Sequence, residues 1–155
     1  MQSLKYKKFH IDWVLVNELA ISKAPKNIYD IEIIKKNGIV SILSLCSISE
    51  AQPPEGLDIM FKTRRIILPD HKYNRDMTLI EINNALDLLS ELREYGPVLV
   101  HCLAAVERSP IVCMGWLIRN NNLSLQEALD YLMQVHPGTS PLPNQLDLLL
   151  KMEKS

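Results

Sequence analysis

The stretch Val98-Leu99-Val100-His101-Cys102-Leu103-Ala104-Ala105-Val106-Glu107-Arg108-Ser109-Pro110 decides the fold. Its apolar start, rich in β-branched residues, reads as a central strand that ends in Cys102. Five residues later come Arg108 and Ser109, and Pro110 marks the first turn of a helix that runs to Asn121. A strand, a short loop and a helix N-terminus in this order bring loop amides and a positive helix end to one spot. Arg108 adds a planar fork that fits two oxygens at once. The result is a cradle for a tetrahedral oxyanion. A thiol at a helix N-terminus beside Arg is expected to ionise well below the free value of about 8.5, which makes Cys102 a candidate nucleophile toward phosphorus. The competing reading is a buried structural thiol with Arg108 as a surface charge.

Working outward, residues 13–16 read as an early strand. Ile28, Ile31 and Ile34 give residues 27–36 a helical period, stopped at Asn37-Gly38. Residues 39–45 read as a buried strand, residues 53–56 as a loop, and residues 61–68 as a further strand ended by Pro69. Thr78 and Glu81 form a capping-box pattern before Ile82, Leu86, Leu89 and Leu92, and Gly96-Pro97 closes that helix. Ser124 and Glu127 repeat the pattern before Leu125, Ala128, Leu132 and Val135; residues 143–153 supply a last helix through Leu146, Leu149 and Leu150. The alternation predicts an α/β fold with a central, mostly parallel sheet and helices on both faces, a three-layer sandwich.

The 155 residues suit one domain spanning 1–155. Apolar residues at 47% and charged residues at 23% exclude disorder, collagen and coiled coil as the main description. Lys plus Arg number 17 against 18 for Asp plus Glu, which argues against a general nucleic-acid binder but leaves room for a focused anion site. Cys46, Cys102 and Cys113 cannot all pair within the chain, and their spacing suits no metal. They read as thiols of a reducing compartment, the cytoplasm. The basic start, Met1 to Lys8, precedes an apolar run broken by Asp12 and Glu18, so neither a signal peptide nor a membrane span is expected. His10, His71 and His136 have no metal-site spacing, and no metal or cofactor is expected.

His101-Cys102 to Arg108-Ser109 resembles the His-Cys-x5-Arg-Ser/Thr signature of cysteine-dependent protein tyrosine phosphatases, and the chain is most similar to their compact dual-specificity branch. Residues 13–25 resemble that family's opening strand segment, Ile67-Leu68-Pro69-Asp70-His71 its mobile general-acid loop, and Pro143-Asn144-Gln145 its late loop near the active site. The resemblance implies hydrolysis of phosphomonoesters through a phosphocysteine. Cys102 attacks, Arg108 and the amides from Leu103 through Ala104, Ala105, Val106 and Glu107 to Arg108 hold the oxygens, and Asp70 acts as general acid. Asp76 competes for that last role, although it also suits the start of the helix at Thr78. His101 is implied as a support of the loop. Ser109 either donates to the Cys102 sulfur or caps the helix, and both can hold. Asn144 or Gln145 would position the attacking water. Cys46 is either a resolving thiol for Cys102, as in some relatives, or a small buried apolar residue.

Two positions depart from the pattern. The family usually has Gly where this chain has Ala105, so either the loop is strained or it uses angles open to Ala. Glu107, beside Arg108, is expected to point outward into solvent, pairing with a nearby base. The resemblance favours phosphotyrosine and phosphoserine/threonine in proteins as substrates. Phosphoinositide, RNA 5′-phosphate and carbohydrate phosphate are the alternatives, and the lack of Lys inside the loop disfavours heavily anionic lipids. From a different class, a phosphate-binding module without turnover is the rival, motivated by Ala105.

Overall fold

The computed structural model describes residues 8–154, so the basic start before Lys8 lies outside the described residues. Five strands and six helices follow one another as β1 (Asp12–Leu15), β2 (Leu19–Ser22), α1 (Ile28–Lys36), β3 (Ser41–Ser44), α2 (Leu57–Met60), β4 (Lys62–Arg65), α3 (Leu79–Arg93), β5 (Val98–His101), α4 (Arg108–Asn121), α5 (Leu125–Val135) and α6 (Pro143–Lys154). The strands form one sheet in the order β1-β2-β5-β3-β4. All neighbours are parallel except β1 and β2, which form an antiparallel hairpin. β5 is therefore central, as its apolar character requires.

Alternate strand residues face opposite layers. Ala20, Ile42 and Leu99 pack with Ile31 and Ile34 of α1 and Leu57 of α2. Leu19, Ile21, Leu43, Val98 and Val100 pack on the other side with α3 to α6, through Leu86, Met114, Leu132 and Leu149. This is the expected sandwich. At Gly115 of α4 an added Cβ would meet Leu86 at 3.3 Å and Leu149 at 3.6 Å.

Local chemistry sets the helix starts. Asn27 caps α1 by accepting from the Asp30 amide, and the capping boxes Thr78/Glu81 and Ser124/Glu127 are both closed. β2 and the short α2 are additional to the sequence reading. β2 follows β1 through a three-residue turn in which Asn17 takes a left-handed conformation, φ 61°. The two sheet edges differ from the interior. β1 carries a register irregularity between Trp13 and Leu15, and β4 exposes Lys62 and Arg64. Among the described residues, no helix is long and apolar enough to cross a membrane, and no cluster of three metal-binding side chains occurs.

Candidate active site

The parallel strands bring Ser22, His101, Ser44 and Arg65 into one row at their C-terminal ends, paired across the ladder. The loops leaving that row carry the chemistry, as open α/β sheets favour. Residues 102–107 follow β5, residues 45–56 follow β3, and residues 66–78 follow β4.

The loop after β5 is held from behind by its carbonyls. The Leu103 carbonyl accepts from the Ala24 amide at 3.2 Å, and the Val106 carbonyl from the Ser140 amide at 2.9 Å. The Ala105 carbonyl accepts from His136 Nε2 at 2.7 Å, whose Nδ1 meets Asp12 at 2.6 Å. The C=O and N–H of one peptide point in opposite directions, so tying back these carbonyls turns the following amides toward the cleft. That cleft, of about 280 Å³, is lined by Cys102, Leu103, Ala104, Val106, Glu107, Arg108, Asp70 and His71, with Lys72 at its side. Ala105 takes a left-handed conformation, φ 59°, with its side chain buried. Of the two expectations for this residue, the strained one holds: this is a backbone region natural to Gly and costly to Ala.

Arg108 begins α4 and is 3% exposed. Its fork is met by Glu50 through two bonds, 3.1 and 2.9 Å, and by the Leu68 carbonyl at 3.3 Å. Burial works against its charge, but Glu50, Cys102 and Asp70 together hold the guanidinium protonated above its ordinary value. Glu50 was not visible as a site residue. Its one signal is the pattern Ser47-Ile48-Ser49-Glu50, which mimics a capping box. Ser47 does cap the local turn, while the Glu50 side chain reaches Arg108 instead.

His101 is buried, and this burial pushes its pKa down to about 4. The ring is therefore neutral near pH 7. Its Nδ1 donates to the Cys102 carbonyl at 3.2 Å, so Nε2 accepts from the Ser44 hydroxyl at 2.7 Å. A ring committed on both sides locks the chain just before Cys102.

Asp70 is brought to the site, with a carboxylate oxygen 3.8 Å from Arg108. Asp76 is exposed and lines a separate cleft, beyond the same loop, with Asn144 and Gln145. Asn144 and Gln145 thus stand next to Asp70 rather than beside Cys102, and the Gln145 side-chain oxygen accepts from the Leu142 amide.

Two expectations need correction. Ser109 is not the cap of α4, because the helix begins at Arg108 and the cap position belongs to Glu107. The Ser109 hydroxyl is fully buried, with no hydrogen-bond partner among the described residues. Glu107 does not point into solvent. Its side chain is 13% exposed and pairs with His71 at 2.5 Å, because the loop bearing His71 folds over it. The expected pairing with a base is present; the solvated position is not.

Cys46 is fully buried in the loop after β3, and its carbonyl accepts from Arg65. Burial raises its pKa, Arg108 lowers it, and Glu50 and Cys102 raise it further. Cys113 lies in the core, where burial and then Cys102 push its pKa far up.

The central sheet, the strand–loop–helix at its carboxyl end and the facing loop that carries Asp70 accord with the cysteine-based tyrosine phosphatase superfamily, to which the family match assigns the chain. Within it the chain belongs to the family described as "Dual specificity phosphatase, catalytic domain", whose model matches residues 22–155. It is 40% identical to dual specificity protein phosphatase 5 of Homo sapiens over 70 residues, 44% of this chain and 18% of that protein. It is 33% identical to dual specificity protein phosphatase Mpk3 of Drosophila melanogaster over 125 residues, 80% of this chain and 29% of that protein. The chain thus spans under a third of the length of these relatives. The crystal structure of PTPMT1 in complex with PI(5)P shares the fold at a TM-score of 0.78 and 16% identity, covering 94% of each chain.

Proposed function

We propose that residues 1–155 form one catalytic domain that hydrolyses phosphotyrosine and phosphoserine/threonine in proteins through a phosphocysteine. One observation carries this reading: a cysteine and a buried arginine from one loop and a carboxylic acid from a separate loop converge on one cleft, and the carbonyls of the cysteine's loop are tied away from it. The Cys102 sulfur attacks phosphorus; an S–P bond forms as the bond to the leaving oxygen breaks, and Asp70 gives that oxygen its proton. Arg108 and the amides from Leu103 to Arg108 hold the three other oxygens, where charge develops. Water then attacks phosphorus, Asp70 takes a proton from it, and the S–P bond breaks to release phosphate. A buried hydroxyl without a partner costs about 1–3 kcal/mol, so the unpaired Ser109 supports a partner gained during the reaction, the departing Cys102 sulfur. Asn144 or Gln145 would orient that water, and their position beside the Asp70 loop supports this. The free thiols fit the cytoplasm.

The test is hydrolysis of para-nitrophenyl phosphate and of phosphotyrosine, phosphothreonine and phosphoinositide substrates. The phosphoproteins are expected to be turned over faster than the lipid. Cys102→Ser is expected to lower every rate by about 10⁴-fold or more while vanadate still binds. A binding module without turnover would show no hydrolysis in the parent protein.

Cys46 is proposed as the thiol that rescues Cys102 from oxidation. Peroxide would convert the Cys102 thiolate to a sulfenic acid; attack by the Cys46 sulfur would then form the disulfide and release water. Their two strands pair in register and Leu45 donates to the His101 carbonyl, which supports proximity. After mild peroxide and then reductant, the parent is expected to recover activity and Cys46→Ser to recover less. A disulfide-linked peptide pair, found by mass spectrometry in the parent alone, is the accompanying mark.

A further inference from the structure

The loop from Pro69 to Met77 carries Asp70 and lies largely in solvent. Its ends, Pro69 and Met77, are buried, and residues 71–76 are exposed. Its own bonds shape it without attaching it to the cradle: the Lys72 amide donates to the Asp70 carboxylate at 2.9 Å, and the Tyr73 amide to the Asp70 carbonyl at 3.1 Å. Attachment to the loop that bears Cys102 runs through His71, whose Nδ1 meets Glu107 Oε2 at 2.5 Å, and through the longer Asp70–Arg108 pair at 3.8 Å.

Glu107 is an expensive residue where it stands. It holds the cap position of α4 yet makes no cap bond, and its Oε1 is buried without a partner among the described residues. It also sets a negative charge at the helix end that would attract the phosphate. The bond it does make goes to the residue next to Asp70.

We propose that Glu107 is a positioning residue that, through His71, latches the acid-bearing loop onto the loop of Cys102 and so keeps Asp70 over the leaving oxygen. This rests on the reading of Asp70 as general acid. With the latch removed, Asp70 is in place for a smaller share of the time. Esters with poor leaving groups then lose rate on the order of tenfold, the worth of one charge-assisted bond, and activated esters lose less because they need less protonation.

The experiment measures kcat/KM for aryl phosphates of rising leaving-group pKa with the parent, Asp70→Asn, His71→Ala, Glu107→Gln and the Asp70→Asn/His71→Ala double variant, together with vanadate inhibition. His71 is an exposed loop residue, so its variant tests the latch without touching the core. The expected result is a steeper dependence on leaving-group pKa in both latch variants, in the direction of Asp70→Asn, with vanadate inhibition retained. In the Asp70→Asn background, His71→Ala is expected to add no further loss. A steeper slope with Asp70→Asn but not with His71→Ala overturns the latch alone. A uniform loss across the series with weakened vanadate inhibition assigns the pair to the cradle and also overturns it. A slope unmoved by Asp70→Asn removes the acid assignment and the latch together.

Discussion

Two loops meet over Cys102, and they are held in opposite ways. Residues 102–107 are anchored through carbonyl after carbonyl, to Ala24 after β2 and to His136 and Ser140 after α5. Residues 71–76 lie in solvent and bond mainly to themselves or to the start of α3. The difference fits the two tasks proposed for them. Groups that stabilise developing charge work best when fixed before the substrate arrives. A group that hands over a proton gains from a loop that can move.

The largest expected test of the anchored side is acid. His101 is held neutral, with a folded pKa of about 4, against an unfolded value of about 6.5. Below the unfolded value the unfolded chain binds more protons than the folded one. The stabilisation is therefore complete above about pH 6.5 and is lost as pH falls toward about 4, to a total of about 3 kcal/mol. Urea midpoints measured across that window should fall for the parent and fall less steeply for His101→Asn. Parallel curves would show that the ring does not lock the strand end as a neutral group.

A smaller effect sharpens the contrast between the loops. His136→Ala removes the bond that holds the Ala105 carbonyl and is expected to cost about 1–3 kcal/mol of stability. Vanadate inhibition should weaken with it, while the dependence of rate on leaving-group pKa stays as in the parent. A change in that dependence would mean that the two loops are one mechanical unit.

The smallest effect concerns Ala105 itself. Ala105→Gly relieves the left-handed strain at φ 59°, worth about 1 kcal/mol, and gives part of it back through a freer unfolded chain. Turnover is expected to hold or rise, with thermal stability nearly unchanged. A large loss of rate in a folded variant would show that the methyl group is needed in this loop.

The local parts of the molecule were legible in the sequence, and the parts closed by long-range contacts were not. Thr78 with Glu81 and Ser124 with Glu127 announce helix starts because the bonds they make lie within one turn. The strand of β5 and the loop after it are readable for the same reason. β2 was missed because Leu19-Ala20-Ile21-Ser22 is short, fully buried and set off from β1 only by a turn with Asn17. Glu50 and His136 reach the site from 58 and 31 residues away, and no spacing rule covers such distances. Nothing near Glu107 in the sequence signals its burial, because its partner, His71, belongs to a loop whose path is set by tertiary packing. Pro110 signals a helix start and so makes Ser109 look like its cap, but the helix begins two residues earlier, at Arg108.

The two irregular margins of the sheet bear on how the protein survives at high concentration. A sheet whose outermost strands are straight and apolar offers its free backbone groups to another copy and invites aggregation. Here the outer strand at one side breaks register between Trp13 and Leu15, and the one at the other side presents Lys62 and Arg64. Pairing two such charged margins would bury like charges together. The buried strands that would template fibres are β2, β5 and β3, all enclosed between neighbours, so self-association should require unfolding deep enough to strip a margin away.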